Sequence, residues 1–389
     1  MEELNELFYR DPYCQEFEAE VLSCTVGKKG FDVVLSDTAF YPEGGGQPSD
    51  LGHLGDAKVL FVKRQNGQVV HQTDKELKVG ETVKGKIDWA RRYDNMQNHS
   101  CEHIFSGLVN RKYGFNNVGF HMGDDVLTVD FDGYLTPEQL AEMEELTNAA
   151  FRKGQNIHIF FPSEEELKAL DFRSKKELKG KVRIVEFPEA DICACCGTHV
   201  KNTAEIGSFK ILSSFKHRGG TRVEFAAGKR LINYINMLLR ESASCVEQLS
   251  AKPQEISGAL KQLYSEKNQL AEKLSKKSER IMNLISDSLP SEGKLLFVSE
   301  PELTPFEIKV FCNRLAEKKN FESILVLSEQ AEKKLFNYIL FSKEPNLAAL
   351  SRELNKELNG RGGGKPPFVQ GSFASSEEEI RKAVEAKLG

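Results

Sequence analysis

Over the first ninety residues hydrophobic and polar positions alternate with a period of two. Phe31-Asp32-Val33-Val34-Leu35, Ala57-Lys58-Val59-Leu60-Phe61-Val62 and Gln68-Val69-Val70-His71 are separated by Gly, Asp and Lys turns. Residues 1–90 are thus expected to form a small β-barrel domain. One of its turns, Tyr41-Pro42-Glu43-Gly44-Gly45-Gly46-Gln47-Pro48, places three glycines between two prolines. Without Cβ atoms such a loop lets its backbone approach another surface, so Gly44, Gly45, Gly46 and Gln47 are candidates for holding substrate or RNA; an ordinary tight loop is the plainer reading.

The period shifts to threes and fours between Trp89 and Tyr113, where Met96, His99, His103, Ile104, Phe105, Leu108 and Val109 recur in helical order. A strand over 126–131 follows, and then a helix opened by Thr136-Pro137-Glu138-Gln139, which combines a cap, a first-turn proline and a capping-box residue. Further strands near 157–161 and 182–186 make residues 91–228 an α+β domain. Residues 229–290 carry leucine and isoleucine at coiled-coil spacing, broken near Pro253, and predict a helical hairpin or coiled coil. Residues 291–389 alternate strand and helix as a closing α/β domain. Its Gly360-Arg361-Gly362-Gly363-Gly364-Lys365-Pro366 reads as a glycine loop, but not as a Walker A loop, because Asn359 and Pro366 stand where glycine and a magnesium-binding hydroxyl belong. The fold class expected is α+β and multidomain.

Composition narrows the function. The 389 residues are 40% hydrophobic and 29% charged, and no apolar run reaches the roughly eighteen residues that span a bilayer, so no membrane role is expected. The acidic start Met1-Glu2-Glu3 lacks the features of a secretory signal, which points to the cytoplasm. A net charge of −5 gives no global footprint for nucleic acid. Between Lys201 and Arg230, however, there are seven Lys or Arg against two acids, and Arg218 and Arg222 are candidate RNA contacts; a solvated basic face is the competing reading.

Eight cysteines are too few for a disulfide scaffold, and Cys193, Cys195 and Cys196 crowd beside a histidine. His99 and His103, at i and i+4, stack on one helix face, and Cys195 with His199 completes an N/S donor set of the kind zinc prefers. Four protein ligands resemble a closed structural site, whereas catalytic zinc keeps a position open. A zinc-stabilised RNA-binding module is therefore the alternative to an enzyme. His99-Ser100-Cys101-Glu102-His103 also fits the H-x-x-E-H peptidase motif, with Glu102 as general base, but such a site calls for a distant glutamate where this chain offers Cys and His.

The motifs Phe40-Tyr41-Pro42-Glu43-Gly44-Gly45-Gly46-Gln47, His99-x-x-x-His103 and Cys195-x-Gly197-Thr198-His199, in this order, resemble the editing region of alanyl-tRNA synthetase and its freestanding AlaX-type relatives. Residues 361–366 with Gln370-Gly371 are similar to the DHHA1 domain that ends the long forms. The resemblance implies a trans-editing deacylase without aminoacylation. Its substrate would be mischarged tRNA for alanine carrying serine or glycine, with zinc held by His99, His103, Cys195 and His199. It also implies that the hydroxyl of Thr38 reads the substrate side chain. Glu102 and His121 are candidate proton carriers, and the helical and DHHA1-like regions are candidates for pairing two chains. Two departures from the family pattern are Glu102, where a neutral residue is usual, and Cys196, which replaces the first glycine of Cys-Gly-Gly-Thr-His.

Overall fold

The computed structural model describes residues 5–174, 181–330 and 335–389. The chain divides into two compact units, Met1–Gln248 and Leu249–Gly389.

The first unit begins with a short helix, α1 (Leu7–Arg10), and six strands: β1 (Glu16–Val26), β2 (Phe31–Leu35), β3 (Gly52–Leu54), β4 (Ala57–Gln65), β5 (Gln68–Thr73) and β6 (Thr82–Ile87). They close into a barrel in the order β1-β2-β5-β4-β3-β6. Alternation decides which side chains go in: β1 buries Phe17, Ala19 and Val21 and turns Glu16, Glu18 and Glu20 outward. Phe8, Phe40, Tyr41, Leu54 and Val62 fill the interior. The glycine motif lies in the connection between β2 and β3.

Helix α2 (Trp89–Tyr113) follows at once, capped by the Asp88 side chain, which accepts from Arg91 N at 3.1 Å. It is tied back to the barrel by Arg92. This guanidinium is fully buried, donates from Nε to both carboxylate oxygens of Asp50 at 3.0 Å and from Nη1 to Pro12 O at 2.8 Å, and Asp50 in turn accepts from Tyr41 N at 2.6 Å. Beyond it come β7 (Asn117–Met122), β8 (Leu127–Phe131), α3 (Pro137–Arg152), β9 (His158–Phe160), α4 (Glu164–Ala169), β10 (Ile184–Phe187), β11 (Asp191–Ala194), β12 (Phe209–His217), β13 (Gly220–Ala227) and α5 (Gly228–Leu249). They form a sheet ordered β12-β13-β8-β7 and a smaller one ordered β11-β10-β9. The apolar stripe of α2 joins a second core, where Phe105 meets Phe131, Phe209 and Phe225 with ring centroids 5.0–5.7 Å apart.

In the second unit α6 (Ile256–Ser288) leads into β14 (Glu292–Ser299), α7 (Pro305–Lys318), β15 (Asn320–Gln330), β16 (Leu335–Ser342), α8 (Leu347–Glu357), β17 (Arg361–Lys365), β18 (Phe368–Phe373) and α9 (Glu377–Leu388). The sheet runs β14-β15-β16-β18-β17, with only β14 and β15 parallel. Both faces of β15 are buried, Leu325 and Leu327 in one core and Ile324 and Val326 in the other. The glycine run expected as a loop is the exposed edge strand β17, antiparallel to β18. The architecture is mixed α/β and multidomain, with a six-stranded barrel. Among the described residues no helix is long and apolar enough to cross a membrane.

Candidate metal centre

The four candidate ligands converge. Helix α2 presents His99 and His103 on one face, with ring centroids 5.1 Å apart, and the segment after β11 brings Cys195 and His199 against them. One donor atom from each lies within 4.8 Å of all the others. His99 Nε2 is 3.6 Å and His199 Nε2 3.4 Å from Cys195 Sγ. A tetrahedral zinc with ordinary Zn–N and Zn–S bonds requires donor separations of about 3.3–3.6 Å.

Each imidazole is oriented by a different partner on Nδ1. His99 donates to Gln47 Oε1 at 2.9 Å, His103 to Asp191 Oδ2 at 3.0 Å, and His199 faces Ser100 Oγ at 3.2 Å. Gln47 Oε1 and Asp191 can only accept here, so the proton sits on Nδ1 and the Nε2 lone pairs point inward. Asp191 is held by Arg173 in a two-point pair, with both bonds at 2.7 Å. Arg183 Nη1 donates to Cys195 O at 2.7 Å and Gly197 O at 3.0 Å, fixing the ligand loop.

The electrostatics favour a cation. Burial raises the Cys195 thiol, but the imidazoles of His99, His103 and His199 outweigh it and hold the group well below the ordinary thiol value, as thiolate. Burial pushes His199 down to about 3, so it is neutral. For His103 burial is opposed by Cys193, Cys195 and Asp191, which together carry it well above the usual imidazole value. An imidazole drawn upward beside a thiolate marks a place where positive charge is stabilised. Three neutral-capable nitrogens and one thiolate are a donor set suited to zinc.

The cluster opens on a cavity of about 610 Å³, walled by Gly45 and Gly46 of the barrel loop, Phe120, Lys181, Arg183 and Cys196. Glu102 is also in its wall, buried and hydrogen-bonded by Ser106 Oγ at 2.7 Å and by Asn117 Nδ2. Phe120 stacks on His99 at 5.9 Å.

Other sequence-derived candidates fall elsewhere. Thr38 is buried inside the barrel and does not line the cavity. Its Oγ1 is 2.8 Å from His71 Nε2 and accepts from Phe40 N at 3.0 Å. Because His71 Nδ1 faces Val33 O at 3.1 Å, Nε2 is the acceptor and the Thr38 hydroxyl donates to it. That hydroxyl is engaged within the barrel, with His71 and Phe40 as its partners. His121 is exposed on β7 and absent from the cavity wall, because strand alternation turns Phe120 towards His99 and its neighbour away. Gln47 is fully buried behind His99 rather than lining the cavity. Arg222 is paired with Asp130 through two bonds of 2.6 and 2.7 Å, and Lys201, Lys210 and Arg230 also face acids, at Asp11, Glu144 and Asp94. The middle of the basic segment is the β12–β13 hairpin, with Lys201 before it and Lys229 and Arg230 on α5, and carboxylates from neighbouring elements neutralise much of it; Arg218, at the hairpin turn, is exposed. Sequence reading missed Asp191, Arg173, Ser100 and Arg183 as supports; Asp191 was marked only by its alternation with Cys193 and Cys195.

The His71–Thr38 pair has a pH signature. Burial pushes His71 down to about 4, so between that value and about 6.5 the unfolded chain binds a proton the folded barrel does not. Stability is expected to fall as pH drops from about 6.5 towards 4, by up to roughly 1.4 kcal/mol per pH unit. Urea unfolding of the natural chain and of His71→Gln across this range checks it: the variant's profile should be flatter, and identical slopes would exclude His71.

Comparison with known proteins places the sequence in a class. Residues 182–224 match the threonyl and alanyl tRNA synthetase second additional domain, residues 11–91 match class II (A) tRNA synthetases, and residues 292–389 match the DHHA1 domain. The alanyl-tRNA editing protein AlaX-L of Pyrococcus horikoshii is 29% identical, over 98% of this chain and 98% of its own. Aarsd1-A, an alanyl-tRNA editing protein of Xenopus laevis, is 31% identical over 75% of this chain and 82% of its own. An alanine–tRNA ligase of Methanococcus maripaludis is 27% identical over 97% of this chain, which spans 43% of the ligase. The solved C-Ala domain of Aquifex aeolicus alanyl-tRNA synthetase covers 25% of the chain at 21% identity, with a TM-score of 0.22. The chain belongs to the alanyl-tRNA editing protein family.

Proposed function

We propose that this chain is a trans-editing hydrolase that removes serine or glycine from mischarged tRNA for alanine and acts in the cytoplasm. The observation that carries the reading is the buried His99, His103, Cys195, His199 cluster opening on a cavity large enough for an aminoacylated adenosine, in a chain similar to editing proteins. These four residues would hold zinc, which when bound supplies Lewis-acid polarisation of an oxygen brought to it.

The chain's own groups account for the rest of the chemistry. Water adds to the ester carbonyl, the bond to the ribose oxygen breaks, and the water proton passes to that leaving oxygen. Glu102, held by Ser106 and Asn117 in the cavity wall, is the proposed carrier of this proton. Asp191 and Arg173 keep His103 turned inward. Lys181 in the wall, with Arg218 on the exposed turn, supplies positive charge for the RNA backbone. Two copies pair through α6, where Leu260, Leu263, Leu270, Leu274, Ile281 and Leu284 keep coiled-coil spacing and remain exposed; sedimentation of the full chain checks this.

The deciding experiment incubates the purified chain with seryl-, glycyl- and alanyl-tRNA for alanine. Serine or glycine should be released faster than alanine, and for serine by far more than about a hundredfold if the site hydrogen-bonds its hydroxyl. Absence of turnover on all three, or equal rates, would defeat the proposal.

A further inference from the structure

The glycine motif is not explained by the chemistry above, since its Gln47 reaches neither cavity nor solvent. Gln47 is completely buried, 52 positions from the histidine it meets. Its Oε1 accepts from His99 Nδ1 at 2.9 Å and from Thr198 N at 3.0 Å, while its Nε2 donates to Thr198 Oγ1 at 2.8 Å. One amide therefore joins a ligand on α2 to the segment between the other two ligands, Cys195 and His199.

The backbones on both sides are packed to admit this amide and nothing larger. Gly46 has φ +86°, and a Cβ there would stand 2.7 Å from Cδ1 of Phe120, the ring stacked on His99. A Cβ on Gly197 would lie 2.1 Å from His99 Cε1 and 3.1 Å from Gln47 Oε1. The turn itself is closed by Gly44 N to Gln47 O at 3.1 Å and Gln47 N to Gly44 O at 3.0 Å.

We infer that Gln47 is a positioning residue for the metal site, and that the glycine motif serves to seat this barrel side chain between His99 and Thr198. The inference rests on the metal reading proposed above. A carboxamide oxygen bonded to Nδ1 selects the tautomer whose Nε2 lone pair faces the ion, and its loss frees the ring to turn. Being uncharged, Gln47 does this without adding to the negative charge of Cys195 and Asp191.

The test measures metal binding directly, by titrating the metal-free full chain with cobalt(II) and zinc(II) against a chromophoric chelator. Gln47→Met, which keeps the volume but loses the acceptor, should bind about 10–100-fold more weakly, with an altered cobalt spectrum. Gln47→Glu, which keeps the acceptor, should restore affinity to within a few-fold of the natural chain. Thr198→Val, which removes only the hydroxyl that orients the amide, should cost about fivefold. Natural affinity in Gln47→Met would overturn the inference. If that variant does not fold by circular dichroism, natural affinity in Thr198→Val overturns it instead. Unchanged metal affinity with a changed KM for the charged RNA would make Gln47 a substrate contact, also overturning it. A natural chain lacking a thiolate-to-cobalt band would refute the metal reading itself, a separate outcome.

Discussion

Replacing Cys195 with serine is expected to lower deacylation of mischarged tRNA on the order of a thousandfold or more, the several kcal/mol that Lewis-acid stabilisation contributes. Cys195 is the one anionic member of the donor set. The three imidazoles that hold its thiol down would face a neutral hydroxyl in the variant and lose the charge that balances a divalent ion. Prolonged chelation of the natural chain should give the same loss, and added zinc should restore activity only to the natural chain. Rates within a few-fold of natural in Cys195→Ser, measured with end-labelled seryl-tRNA, would remove the cluster from the chemistry. Collapse of the fold on chelation would favour the structural-zinc alternative.

Asp50→Ala is expected to destabilise the first unit by about 3–5 kcal/mol, because the buried Arg92 guanidinium is left without its anion. The effect is large because no solvent can replace the carboxylate: both side chains are fully buried, and Asp50 also satisfies Tyr41 N. Asp50→Asn retains part of the hydrogen bonding and should cost less. Trp89 is the chain's single tryptophan and packs on Tyr13 and Tyr93 with ring centroids 5.5 Å away in each case, so its fluorescence in urea reports on this unit. A midpoint unchanged in Asp50→Ala would show that the pair is not needed for stability.

The helix carrying His99 and His103 was readable because local periodicity and an i, i+4 pair suffice to define it. Strands β2, β4 and β5 were readable for the same reason. What escaped was whatever depends on partners remote in sequence. Gln47, Asp191 and Ser100 meet their histidines across 52, 88 and 99 positions, and nothing local marks which polar residue will orient which ring. For Thr38 and Arg222 the residue type suggested recognition, while their partners His71 and Asp130, 33 and 92 positions away, carry no local mark. Strand β17 was hidden because glycine has little strand propensity, and only its pairing with β18 defines it. The β12–β13 hairpin was read as charge, not structure, and Lys210 and Arg222 in it face Glu144 and Asp130 from neighbouring elements.

The Arg92–Asp50 pair and the Gln47–His99 bond cross the same seam, near residue 90, where the periodicity changes from two to threes and fours. That seam is a boundary in pattern but not in mechanics. A fragment cut to begin at the long ligand helix would carry all four donors yet leave a buried guanidinium orphaned and one ring without its brace. The smallest transplantable piece with a competent centre therefore includes the barrel, and inheritance of this activity as a module has to carry both halves together.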